Sequence, residues 1–183
     1  CWRRHDLHHT DLSPAVSLPN RRMLSERGTR VIRVTSTENR ESANARSPRQ
    51  RSSALLTDKY ELTMLEAALA DGSAHRQCAF EVFTRRLPNE RRYGVVAGTA
   101  RVLAAVQDFV FTEEQLKDLD FLNEQTLEYL RTYRFTGQID GYREGELYFP
   151  NSPILSVRGT FAECVILETV ILSILNSDSA VAS

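Results

Sequence analysis

Cysteine is scarce in this chain: among 183 residues there are Cys1, Cys78 and Cys164, far apart and odd in number. No CxxC and no Cys/His spacing of a zinc site occurs, so a disulfide framework is not expected and a reducing, cytoplasmic setting is. Glycine-rich phosphate loops are missing, since neither GxxxxGK(S/T) nor GxGxxG is present, and with them go the usual sequence signatures of a P-loop or a dinucleotide-binding turn. Histidine amounts to four residues. Three of these, His5, His8 and His9, lie near the start with no acid or cysteine cluster beside them, so no metal site is expected. Long apolar runs are also absent. The longest, CVILETVILSIL at 164–175, carries Glu168, is too short to cross a bilayer and reads as a buried helix, so no membrane partner is expected.

What is present falls into two unlike parts. Through Ser53 there are 11 Lys/Arg against 5 Asp/Glu, a charge of +6; from Ala54 onward there are 12 against 19, a charge of −7. Residues 1–53 are rich in Arg, Ser, Asn and Pro with little apolar periodicity, and such a stretch buries too little surface to offset its ordering entropy. They read as a disordered or non-native basic leader, with a transit-type segment and a nucleic-acid-binding arm as alternatives. The interleaved aromatics of a single-strand binder are missing, so no nucleic-acid partner is expected.

From Ala54 the pattern changes. Asp58 followed by Glu61 resembles a capping box, and Leu62, Leu65 and Leu69 form a helical stripe that ends at Gly72. CAFEVFTRRL alternates like a strand, PNERRYG is a charged loop, and VVAG is a short apolar run. TARVLAAVQDFV has a helical stripe through Val102, Val106 and Phe109. Thr112 with Gln115 forms a second capping box, and NEQTLEYLRTY is another helical segment. FTGQIDGYREGELYFPNSPILSVRGT is punctuated by Gly and Pro and reads as an antiparallel meander, followed by helical spacing at Cys164, Leu167, Ile171 and Leu175. That last element carries no stop signal at Ser183, and a truncated chain is expected. The class is α+β or mixed α/β.

The blocks LLTDKYELTMLEAAL, FEVFTRRLPNERRYGVVAGTARVL, YLRTYRFTGQIDGYREGELYFPNSPILSVRG and AECVILETVILSILNSDSAVAS, in this order and at these spacings, resemble nicotinate phosphoribosyltransferase. Nothing before Ala54 does. The resemblance implies an α/β fold in which 54–160 form the N-terminal mixed domain, with its helices and meander. Residues 161–183 then begin an irregular α/β barrel that is mostly missing. It also implies an NAD-salvage ligase that joins nicotinate to phosphoribosyl pyrophosphate, giving nicotinate mononucleotide and pyrophosphate, coupled to ATP hydrolysis with Mg2+. The active site would be shared between the subunits of a homodimer.

On the same ground Tyr60 matches the tyrosine that stacks on nicotinate in trans, while spacing alone also allows it to pack on Met64 and Ala67. Asp58 reads as a helix cap and, by resemblance, lies near the phosphoribosyl group. Arg85 and Arg86, whose guanidinium forks suit phosphate, are candidate contacts to phosphoribosyl pyrophosphate, more so than Arg91 and Arg92; the plain alternative is a solvated charged loop. The family's catalytic histidine region has no match here, so no catalytic residue is assigned and the chain alone is expected to be inactive. Two other readings stand beside this one: a non-catalytic dimer-forming or nucleotide-binding domain of the same fold, and a salvage enzyme that uses nicotinamide or quinolinate.

Overall fold

A computed structural model describes residues 2–6, 32–34 and 52–183 of the chain. Among these residues one antiparallel sheet carries the architecture. Its strands are β1 (Trp2–Asp6), β2 (Ile32–Val34), β3 (Gln77–Val82), β5 (Gln138–Gly141) and β7 (Leu155–Thr160), in the spatial order β1-β3-β7-β5-β2. The central register pairs Cys78 with Gly159, Phe80 with Val157 and Val82 with Leu155, while Ile139 lies opposite Val157 on the other side. Residues one step out of phase, among them Glu81, Ser156, Arg158 and Asp140, face the opposite way. The sheet therefore has one apolar and one polar side, as alternation demands of a sheet covered on a single face.

The covering layer is helical. It comprises α1 (Lys59–Asp71), α2 (Thr99–Gln107), α3 (Glu113–Lys117), α4 (Glu124–Thr132), α5 (Phe161–Val165) and α6 (Glu168–Ala182). Helix α1 begins at the Asp58 cap, whose Oδ1 accepts from the Glu61 N–H at 2.9 Å, and it stops at Gly72 with φ +77°. It buries Leu62, Leu65 and Ala68. Helix α3 opens with the expected Thr112–Gln115 box, and α5 opens with a second reciprocal box, Thr160–Glu163. The core runs between the apolar side of the sheet and α1, α2, α4, α5 and α6, and it includes Phe109, Leu130, Val157, Ile166, Leu167 and Ile171.

Several expectations are corrected. The meander is interrupted: β6 (Leu147–Tyr148) leaves the main sheet and pairs with β4 (Gly94–Val95) in a separate two-stranded ribbon. A close approach makes this possible, because a Cβ on Gly94 would run into the buried Tyr148 ring. The strand expected from Cys78 through Leu87 stops at Val82. The final helix is two helices divided by a turn at Ile166–Leu167.

The stretch Phe161–Ala182 does have the length and composition to cross a membrane, contrary to the sequence reading, but half of it is buried inside the fold, as a core helix would be. Within the first 53 residues, β1 and β2 belong to the sheet although no sequence pattern announced them. Trp2 stacks on Phe80 with ring centroids 4.9 Å apart, and the Arg4 guanidinium lies 4.6 Å over the Phe161 ring. Residues 1, 7–31 and 35–51 of that stretch lie outside the described residues.

Candidate functional site

The N-terminal turns of α1 and α6 face each other across a cleft of about 440 Å³ lined by Asp58, Tyr60 and Glu61 on one side and Glu168, Thr169, Leu172, Ser173 and Asn176 on the other. Two of the residues singled out from sequence, Asp58 and Tyr60, meet here. Tyr60 is 67% exposed. It follows the cap by two residues, ahead of the turn where the buried stripe begins, so its ring stands at the rim instead of packing into the helix layer. Asp58 is the cap, as the sequence indicated, and its second oxygen lies 3.3 Å from the Thr169 hydroxyl.

Glu61 does not complete a capping box. Its side chain turns inward, where it is 1% exposed. It accepts from the Thr57 hydroxyl on one oxygen and, on the other, from the Thr169 N–H at 2.7 Å and the Thr169 hydroxyl at 2.6 Å. Burial raises its pKa. The hydrogen bonds from Thr169 and Thr57 oppose that shift, and the charge of Asp58 adds to it. Glu168 is raised as well, first by burial and then by the nearby Glu61 and Asp58 charges. The cleft wall is therefore acidic, with the positive ends of two helices behind it.

Arg85 and Arg86 are not brought to the cleft. They follow the end of β3 that pairs with the start of β7, whereas α5 and α6 leave from the opposite end of β7. Arg91 and Arg92 are exposed further along the same loop, which turns through left-handed backbone at Asn89 and Glu90. Sequence reasoning missed the second wall entirely. A signal for it existed: Thr169, Ser173 and Asn176 recur at helical spacing among the apolar residues of the first half of α6. Among the described residues no group of three or more His, Cys, Asp or Glu has the arrangement to hold a metal ion. The oxygens of Asp58 and Glu61 are already engaged by protein donors, so these residues do not fit a magnesium site, and no step through Mg2+ is assigned to them.

A family model described as the nicotinate phosphoribosyltransferase N-terminal domain matches residues 55–176. A nicotinate phosphoribosyltransferase of Mycobacterium tuberculosis, pncB1, is 65% identical over 130 residues, which cover 70% of this chain and 29% of that protein. The Bacillus subtilis nicotinate phosphoribosyltransferase is 38% identical over 132 residues, covering 70% and 27%. The crystal structure of human nicotinic acid phosphoribosyltransferase superposes with a TM-score of 0.60 at 26% identity, covering 65% of this chain and 25% of that one. The chain thus spans less than a third of the length of these relatives. On the matched residues, from the Tyr60 helix to the middle of α6, the chain belongs to the nicotinate phosphoribosyltransferase family, whose N-terminal domain it carries.

Proposed function

We propose that this chain serves as the N-terminal domain of an enzyme of NAD salvage that joins nicotinate to phosphoribosyl pyrophosphate, and that Tyr60 is the platform for the pyridine ring. The observation that supports this reading is the exposed ring of Tyr60 at the rim of the cleft. Leaving a large aromatic in water forgoes about 1.5–3 kcal/mol of burial, which a flat ligand recovers by covering it. An aromatic pair in offset or edge-on geometry adds about 0.5–1.5 kcal/mol beyond area. The cleft volume also falls within the range of small-molecule sites.

The same reading has a physical consequence. Nicotinate and phosphoribosyl pyrophosphate are anionic, while the wall here presents Asp58 and Glu168, with Glu61 buried behind them. The balancing cations therefore come from the facing part of the site, contributed by the barrel of a second subunit in a homodimer. Arg85 and Arg86 enter the proposal as phosphate contacts from the exposed loop after β3, outside this cleft. ATP hydrolysis with Mg2+ belongs to the proposed whole enzyme, with no step assigned to residues described here.

The test is kinetic. In the complete enzyme carrying this domain, Tyr60→Ala should raise the nicotinate KM on the order of tenfold, the equivalent of about 1.4 kcal/mol. Tyr60→Phe, which keeps the ring, should stay close to wild type. Near-normal nicotinate KM in both variants would refute the platform role.

A further inference from the structure

Glu61 sits where an acid is normally solvated, one residue past the exposed Tyr60 in the first turn of α1, yet it is buried. Its two oxygens are divided between the two sides of the seam. One accepts from Thr57 just ahead of α1; the other accepts from both the N–H and the hydroxyl of Thr169 in the first turn of α6. Around these bonds, Leu62 and Leu65 on α1 and Val170 and Ile171 on α6 are apolar and buried in the same core. Apolar packing draws helices together without direction, whereas short hydrogen bonds to a carboxylate fix relative rotation and slide. Burial opposes the charge on Glu61, and an apolar residue of similar volume at such a position is often neutral or better for stability. A seam of this kind is more readily explained by geometry than by stability.

We infer that Glu61 is a positioning residue: by pinning the first turn of α1 to the first turn of α6 it holds Tyr60 and Asp58 at a fixed separation from Leu172, Ser173 and Asn176. This sets the width of the slot for the pyridine ring. The inference rests on the reading of the cleft as the nicotinate site. Glu61 touches no substrate in this account and acts only through the residues it holds.

The conservative replacement makes the idea testable. In Glu61→Gln the amide oxygen keeps both bonds from Thr169, and the amide NH2 donates to the Thr57 hydroxyl, which can turn to accept. In Glu61→Ala the pin is lost. With the complete enzyme, Glu61→Ala should raise the nicotinate KM about ten- to a hundredfold, the scale on which misplaced binding groups act. Glu61→Gln should recover most of that loss. Thr169→Val, which removes the hydroxyl and keeps the N–H, should fall between them and provides the reading if Glu61→Ala does not fold.

A lower melting temperature with an unchanged nicotinate KM in Glu61→Ala, or in Thr169→Val where the alanine variant cannot be purified, would overturn the inference. So would Glu61→Gln behaving as badly as Glu61→Ala. If Tyr60→Ala raises KM and these variants do not, only the positioning role fails. If Tyr60→Ala is itself silent, the ligand reading of the cleft fails and the positioning role falls with it.

Discussion

Replacing Glu163 by glutamine should destabilise this fold in a way its near-identical shape would not suggest. Glu163 is 9% exposed at the start of α5, and its two oxygens serve two strands. Oε1 accepts from the Thr136 N–H at 3.0 Å and the Thr136 hydroxyl at 2.6 Å, ahead of β5; Oε2 accepts from the Thr160 N–H at 3.0 Å and the Thr160 hydroxyl at 2.7 Å, at the end of β7. In Glu163→Gln one oxygen becomes an NH2 group. The hydroxyl facing it can rotate to accept, but the backbone N–H cannot. One shielded donor is orphaned, and the remaining pair loses its charge assistance, together about 2–3 kcal/mol. For a chain of this size that corresponds to a melting temperature lower by about 5–10 °C, at roughly 2–4 °C per kcal/mol.

The pH dependence gives a second, independent readout. Burial pushes the Glu163 carboxyl upward, but the hydrogen bonds from Thr136 and Thr160 together outweigh it, and its pKa lies below the ordinary glutamate value. A carboxyl lowered in the folded state stabilises fully above its unfolded pKa and loses that contribution as pH falls through the folded value. The gap in stability between wild type and Glu163→Gln should therefore be widest near neutral pH and shrink in acid. Glu61 and Glu168, both raised, act with the opposite sign, favouring the fold at low pH and losing that contribution as pH rises. They are common to both proteins and cancel in the difference. Thermal unfolding followed by circular dichroism from pH 4 to pH 7 measures all of this. A melting shift under 2 °C at pH 7, or a gap that does not narrow in acid, would refute the reasoning.

Gly137→Ala should be among the most damaging single-methyl additions. A Cβ there would fall well inside van der Waals contact of the Arg158 backbone carbonyl and against the Phe135 ring. Relief requires β5 to move from β7, at about 1–3 kcal/mol or more by urea denaturation. Gly145→Ala meets nothing within 4 Å and pays only for its φ of +85°, so it should cost less than Gly137→Ala. Cys78 and Cys164 are both buried, and the Cys164 thiol is pushed far up by its hydrogen bond with Cys78 and by burial. Peptide mass mapping should find both unmodified by a thiol-alkylating reagent until the protein is unfolded; rapid native labelling of either would contradict the packing.

Local sequence determined the features that need only neighbours along the chain. Asp58 and Thr112 announce helix starts because a short polar side chain reaches the N–H three residues on, and Gly72 announces a stop because a left-handed residue is needed there. Tyr60 and Asp58 were legible as candidates for the same reason: both belong to one capped turn. Tertiary structure alone decided what depends on distant pairing. It placed β6 with β4 rather than in a meander and enrolled Trp2–Asp6 as a strand through a stack on Phe80. It turned Glu61 away from its local cap toward Thr169, 108 residues later. It also separated Arg85 and Arg86 from the cleft, since strand order, and not sequence distance, sets which end of the sheet a loop leaves. A side chain's local options are written in its immediate neighbours; which of them it takes depends on the partner that burial brings within hydrogen-bonding reach, and that is fixed only once the chain has folded.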